Sequence, residues 1–399
     1  MTERLDLSST DDFALGAKES LLSPVIRLKI EAAGGAITFA RFMELALGHP
    51  DLGYYSRVGL AWGRDGDFET SPEVHPIFGY LWARQIEECW ERLDRPASFD
   101  LIEVGAGSGA WSAAILTWLR DRSPDCFAAT CATLLDGSPR RLEDQRSTLE
   151  ASGLTAHHQL VEEWLADAGP VTGVVISNEF FDALPIHLVE RRGDELMEWH
   201  VTDEGSAFQL ALRPASTPDL NAYFDALGLR SGDGARAEVN LAAPDVMRAL
   251  ASRIKRGYLF AIDYGHEAKD LYASWRRMGT LMAFHNHSPQ PDPLASPGLL
   301  DLTAHVDFTS LANALRASGF EVAPTVSQAE ALTVLGLPEA MQAAEARGHE
   351  DIARYAQERR AAATLTNLEG LGRIRVLATS NDALLEDLRS LRSITEAYG

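Results

Sequence analysis

From about residue 99 onward the chain repeats one rhythm: a short apolar run, a turn, then a stretch with apolar positions at helical spacing. The apolar runs lie in "FDLIEVGAGSG", "ATCATLLDGSP", "LTAHHQLVEEW", "GVVISNEF", "GYLFAIDYG" (257–265), "FEVAPTVSQ" (320–328) and "RIRVLATS" (373–380). Short strands alternating with helices make an open parallel sheet of the α/β class. The pattern predicts a Rossmann-like, seven-stranded, mostly parallel sheet. Upstream, "PVIRLKIEAAGGAITFARFMELALG" (24–48) reads as two helices broken at Gly34-Gly35, and a further helix runs from about Pro76 to Leu93. Between them, His49 to Pro76 is rich in Gly, Pro and Asp but carries Tyr54, Tyr55, Trp62 and Phe68, the pattern of a long ordered loop.

These elements divide the chain into four parts. Residues 1–95 form an N-terminal helical cap with a lid loop, and 96–185 the cofactor-binding half of the core. Residues 186–255 are an insertion between the fourth and fifth strands, a substrate wall or a dimer interface. Residues 256–399 complete the core, with an irregular segment at 285–308 and Ala-, Glu- and Arg-rich helices at 338–365.

Composition narrows the class. With 46% hydrophobic and 24% charged residues in 399, the chain has the make-up of a soluble globular protein. A formal net charge of −22 disfavours nucleic acid and suits a basic acceptor. No apolar run reaches the roughly 18 residues of a membrane helix. The polar, acidic start "MTERLDLSSTDDFALG" reads as neither signal nor transit peptide, so a cytoplasmic location is expected. Cys89, Cys126 and Cys131 form no CxxC pair and are expected to be reduced and mostly buried.

Two stretches carry candidate chemistry. In "EVGAGSGA", Glu103, Gly105, Gly107 and Gly109 fall where a strand passes into a helix. Glycines let backbone approach a ligand, and the helix N-terminus offers free N–H groups. The spacing fits a dinucleotide loop as Gly-x-Gly-x-x-Ala, and an adenosylmethionine loop as Glu-x-Gly-x-Gly-x-Gly. Asp136, ending the second strand, could accept ribose hydroxyls in either case. The second stretch, "SNEFFDALPI" (177–186), ends the fourth strand in two carboxylates and two aromatics, unlike an ordinary turn. A polar loop there favours methyl transfer, whose sulfonium donor needs orientation and exclusion of water more than activation.

Taken with "GRDGDFETSPEVHPIFG" (63–79), "AIDYGH" (261–266), "GTLMAFHNH" (279–287) and "DLTAHVDFTSL" (301–311), these stretches resemble the MidA-like family of class I methyltransferases over about residues 20–380. The family includes a mitochondrial protein arginine methyltransferase. The resemblance implies a class I fold, S-adenosyl-L-methionine as cofactor, and a protein arginine as acceptor. A small metabolite or natural-product peptide is the alternative acceptor, and a catalytically silent assembly factor or an NAD-dependent oxidoreductase the alternative classes. The chain departs from the family in its "GAGSG" loop, in Asp136 where Glu is common, and in its C-terminal "LTNLEGLGRIRVLATS".

Within that frame Glu179 and Asp182 would grip a guanidinium, whose donor fork matches carboxylates. Phe180 and Phe181 would wall it in, and Asn178 would bind cofactor or orient the loop. The bland alternative is a helix cap with a Phe pair in the core. Asp67, Thr70 and Ser71 are placed at the cofactor through a helix starting at Ser71-Pro72. Asp263 and His266, at the end of the fifth strand, are candidate catalytic groups, with His266 able to take a proton. His285, His287 and His305 lack a paired zinc spacing and are expected to pack loops, so no metal is assigned. A homodimer is possible.

Overall fold

The computed structural model describes residues 20–57, 70–286, 288–348 and 351–398. Its main sheet runs, from one edge, His157–Leu160, Thr130–Asp136, Phe99–Val104, Val171–Asn178, Ile254–Asp263 and Arg375–Asn381. The first five strands are parallel, and Arg375–Asn381 is antiparallel to its neighbour. The chain therefore moves outward from Phe99–Val104 in one direction and then, from Val171–Asn178, in the other. That reversal leaves a crevice at the carboxyl ends of the two central strands, where Val104 pairs with Ser177. Both stretches singled out in the sequence open into it.

The expected sixth strand, 320–328, is two short pieces. Glu321–Val322 and Val326–Ser327 each pair with Arg375–Asn381, making eight strands in the sheet where the apolar runs predict seven. Pro324 lies between them, and a proline has no N–H to give a ladder.

Helices cover both faces. On one, the helix Ile77–Arg92 buries Phe78, Leu81 and Trp82, positions at i, i+3 and i+4. Trp82 meets Trp111 edge-on with centroids 5.9 Å apart, and Phe260 at 5.5 Å. On the other face, Met247 and Leu250 from Ala242–Arg253 and Leu311 from Phe308–Ala317 pack with Val175 and Leu259. Ala242–Arg253, inside the range read as an insertion, thus serves the main sheet.

A second, antiparallel sheet joins parts distant in sequence. Ile37–Thr38, between the two N-terminal helices (Ser23–Ala32 and Phe39–Gly48), pairs with Glu195–Asp203. That strand also pairs with His187–Arg192 and Phe208–Pro214, and Arg236–Val239 closes the other side. Phe39, Phe42 and Met43 pack on Ile186, Leu188 and Val201, so cap and insertion share one core. The irregular segment after residue 280 holds a small antiparallel sheet of Met282–His285, Ser288–Pro289 and Asp301–Thr303. Cys89 and Cys126 are buried free thiols, whereas Cys131 is exposed.

Candidate active site

A cavity of about 790 Å³ occupies the crevice, between the carboxyl ends of the central strands, the N-terminal cap and the segment 276–305. Glycine-loop residues Gly105 and Gly107 line it, with Asp136, Asn178, Glu179 and Asp182. Met43, Leu47 and Tyr55 close it from the N-terminal side.

Gly105, Gly107 and Gly109 have φ of 71°, 53° and 80°, a region that L side chains rarely adopt. A Cβ on Gly105 would stand 2.7 Å from the Phe180 ring, so the two loops pack directly against each other. A Cβ on Gly109 would meet Leu134 and Leu149 at 3.2 Å; this glycine serves close packing of helix on sheet and does not line the cavity. Glu103 does line it, but its Oε2 accepts from the Ser112 N–H at 3.1 Å and from the Ser112 hydroxyl. It thereby anchors the helix Ala110–Arg122, and burial pushes its carboxyl up to about 8.

Asp136 accepts from the Gly107 N–H at 3.1 Å through Oδ2 and from the Ser138 N–H at 3.1 Å through Oδ1. Burial raises its carboxyl to about 6 against those bonds. Each oxygen keeps a lone pair for a further donor. Two buried polar atoms, Ser138 Oγ close to Asp136 in the chain and Asn178 Oδ1 two strands away, find no partner among the described residues, and both residues line the cavity. Such atoms call for a polar ligand or water.

Across the crevice, Glu179 holds a left-handed backbone with φ 49°. Its Oε1 accepts from the Ser71 N–H at 3.1 Å and from Asn178 Nδ2 at 2.9 Å. Burial, and after it the charge of Asp182, push its carboxyl up to about 8. Asp182 Oδ2 accepts from the Thr303 hydroxyl at 2.8 Å, and burial raises this carboxyl to about 6. Neither carboxylate forms an ion pair with a cation among the described residues.

Three expected contact residues lie elsewhere. Asp263 is buried beneath the loop and does not line the cavity. Its Oδ2 accepts from the N–H groups of Phe180, Phe181 and Asp182 at 3.1, 2.8 and 3.4 Å, and Oδ1 from that of Tyr264 at 2.8 Å. It shapes the turn. His266 is set back from the cavity behind Arg276, whose Nη2 stands 3.2 Å from His266 Nε2. Burial, followed by the charges of Arg276, Arg375 and Arg373, keeps its imidazole below the usual range, so it is a poor proton acceptor. Ser71 spends its N–H on Glu179 and its hydroxyl on Gln328 at 2.9 Å, and the helix it opens, Ser71–Val74, is a single turn. Thr70 lines the cavity, while Asp67 and His287 lie outside the described residues.

Several more groups line the cavity. Arg141 Nε donates to the Tyr55 carbonyl at 2.9 Å and Nη1 to Asp144 at 2.7 Å, pinning the N-terminal segment to the helix after Asp136. Tyr55 Oη donates to Asp301 at 3.2 Å. Glu73 accepts from the Ser108 hydroxyl, tying the turn at 71–74 to the glycine loop. Asp301, Thr303 and His305 fall within "DLTAHVDF", a stretch already conspicuous in sequence, and Tyr55 is one of the aromatics of the ordered loop; Arg141 carries no such signal.

Residues 81–326 match a family described as "Putative S-adenosyl-L-methionine-dependent methyltransferase". The chain is 30% identical over 310 residues to the mitochondrial protein arginine methyltransferase NDUFAF7 homolog of Drosophila melanogaster, covering 72% of this chain and 68% of that protein. It is 30% identical over 300 residues to the corresponding mitochondrial protein of Danio rerio, covering 70% and 68%. A protein from Burkholderia thailandensis, solved bound to S-adenosyl-homocysteine, superposes with a TM-score of 0.82 at 30% identity over 93% of this chain and 95% of that one. These relatives overturn the expected cytoplasmic location: the curated ones are mitochondrial proteins.

Proposed function

The chain belongs to the MidA-like family of S-adenosyl-L-methionine-dependent methyltransferases, and we propose that its acceptor is an arginine side chain of a protein. The observation that carries this reading is the Glu179–Asp182 pair. Asp182, buried, and Glu179, half-buried, face one cavity with no cation partner among the described residues, and ionising both there is costly. A guanidinium relieves both at once, with planar donors for bidentate pairing.

The cavity suits the cofactor. The backbone of Gly105 and Gly107 would lie against it, Asp136 would accept from ribose hydroxyls, and the unpartnered Ser138 Oγ and Asn178 Oδ1 would find polar partners. When bound, the cofactor supplies a methyl on a sulfonium, already a good leaving group. What remains for the chain is placement. Glu179 Oε1 is fixed by Ser71 and Asn178, while Oε2 makes no hydrogen bond among the described residues. Oε2 is therefore open to accept a guanidinium N–H, localise charge away from the attacking nitrogen, and take the proton released on transfer. Phe180 and Tyr264 give the cavity dry walls, and Met43, Leu47 and Tyr55 of the N-terminal cap act with them as the substrate wall. Asp263 is assigned as a positioning residue, because its Oδ2 holds the loop carrying Glu179 and Asp182 while Oδ1 is spent on Tyr264.

Incubating the protein with methyl-labelled S-adenosyl-L-methionine and a cell lysate, then hydrolysing the protein fraction, tests the acceptor. Label in methylarginine is expected. Label confined to small molecules, or to other amino acids, removes arginine from the reading.

A further inference from the structure

The cavity also carries an arc of the other sign. Arg373 lies over Tyr264, its Cζ 5.9 Å from the ring centroid. Tyr264 stacks on His305 at 6.3 Å with planes 18° apart, and His305 lies 5.1 Å from His266. His266 in turn meets Arg276 at 3.2 Å. Arg276, Arg373 and His305 line the cavity. In a chain of net charge −22, neither arginine has a carboxylate partner among the described residues. Arg276 is held in place by His266 and by the face of Trp275, 4.7 Å from its ring centroid. His305 Nδ1 is buried without a hydrogen-bond partner among the described residues.

The segment bearing Arg276 has a second feature. Trp275 and Met278 are 70% and 74% exposed, and Met282, 41% exposed, also lines the cavity. Large apolar side chains beside a cavity mouth suit a polypeptide surface better than a small solute.

We propose that Arg276, Arg373 and His305 form a carboxylate subsite, which takes an acidic side chain flanking the methyl-accepting arginine of a polypeptide substrate. The inference rests on the arginine reading above and deepens it. A peptide with a cation and an anion side by side matches both walls, and a purely basic peptide matches one. The carboxylate would accept from the two guanidinium groups and, with His305 in the Nδ1–H tautomer, from its ring. Specificity for acidic neighbours follows, because a basic neighbour would face two arginines.

The test is calorimetry on the full chain saturated with S-adenosyl-homocysteine, using short synthetic peptides and the R276Q/R373Q double variant. The peptides carry a central arginine or citrulline, each with Glu or Gln at the two positions on either side. Replacing Glu by Gln should weaken binding to the wild type by about tenfold or more, the loss of a charge-assisted contact. It should matter little to the double variant, whose S-adenosyl-homocysteine affinity and thermal melt stay unchanged. Equal losses in both proteins, or no measurable binding of the acidic peptide, overturn the subsite. So does a double variant that remains folded but loses S-adenosyl-homocysteine affinity, since the arc then serves the cofactor's own carboxylate. Citrulline should weaken binding to both proteins. If it does not, while the Glu effect persists in the wild type alone, the subsite stands and the arginine reading falls.

Discussion

The Ser71 backbone N–H donates to Glu179 Oε1 at 3.1 Å, joining the edge of the N-terminal segment to the loop after the fourth core strand. Glu73, two residues on, accepts from Ser108 in the glycine loop. One turn of helix thus bridges the two sides of the crevice, so the segment that closes the cavity also orients the carboxylate facing it. A single donated N–H and one amide do not offset the burial of that carboxylate, which stays protonated up to about pH 8.

Methyl transfer should therefore depend on pH with a defined sign. Below about pH 8 Glu179 is largely neutral in the free protein, and above it the carboxylate is formed. The kcat/KM for an arginine acceptor is expected to rise with pH towards that value. A bound guanidinium favours the carboxylate, so kcat should rise at lower pH than kcat/KM. Acceptor binding at pH 7 should release a proton, measured as a dependence of calorimetric heat on buffer ionisation enthalpy. Heat independent of buffer would exclude Glu179 as the titrating partner.

Stability of the cofactor-free protein should move the other way. Burial raises Glu103 and Glu179 from 4.5 to about 8. Folded-state pKa values above the unfolded ones stabilise the fold fully at pH below the unfolded value, and that stability is lost as pH rises through the folded value. Histidines with lowered pKa, His305 among them, act in the opposite sense but are spent above their unfolded value of 6.5. Between about pH 7 and 8 the melting temperature should fall, and Glu103→Gln should flatten the slope. Melts that rise over this interval would contradict the assigned burial.

How much of this was legible beforehand follows from the kind of signal each residue carries. The five parallel strands, the glycine loop and Asp136 announce themselves through short-range pattern. Glu179 and Asp182 stood out because carboxylates next to aromatics make a poor turn. Asp263 also stood out, at the same sheet edge, but sequence cannot show that its Oδ2 points back at the amides of Phe180 and Phe181. The broken sixth strand was hidden because its pieces are two residues each and gain stability only from Arg375–Asn381, some fifty positions later. Pairing of Ile37–Thr38 with Glu195–Asp203 likewise has no local cue. Arg276, in a loop, and Arg373, at the end of the 3-10 turn Leu371–Arg373, reach the cavity from positions nearly a hundred residues apart, which only the fold brings together.

Asp263→Asn tests positioning apart from contact. The amide keeps one acceptor oxygen but cannot serve donors on both sides, so either the loop N–H groups or that of Tyr264 lose their partner. A loss of about 1–3 kcal/mol in denaturant unfolding is expected. Transfer should fall with S-adenosyl-homocysteine affinity nearly kept. Wild-type stability would show that the loop holds its shape unaided.

Gly105→Ala probes the contact between the two loops. The added Cβ meets Phe180 at 2.7 Å on a backbone with φ 71°. About 1–3 kcal/mol of destabilisation is expected from the backbone alone. S-adenosyl-homocysteine affinity and transfer should fall together, because both walls shift. Retention of both would mean that the crevice accommodates the methyl group without moving.

The most direct test is Glu179→Gln, measured as single-turnover methyl transfer to the arginine acceptor alongside S-adenosyl-homocysteine affinity by calorimetry. The amide keeps the shape and loses the charge-assisted pairing with a desolvated guanidinium. By analogy with a broken buried ion pair the cost is about 3–5 kcal/mol, roughly a hundred- to several-thousand-fold in rate. Transfer should fall by that factor while affinity stays within a few-fold. Wild-type rates in the variant, or a matching loss of cofactor affinity, would contradict the placement of the acceptor against Glu179.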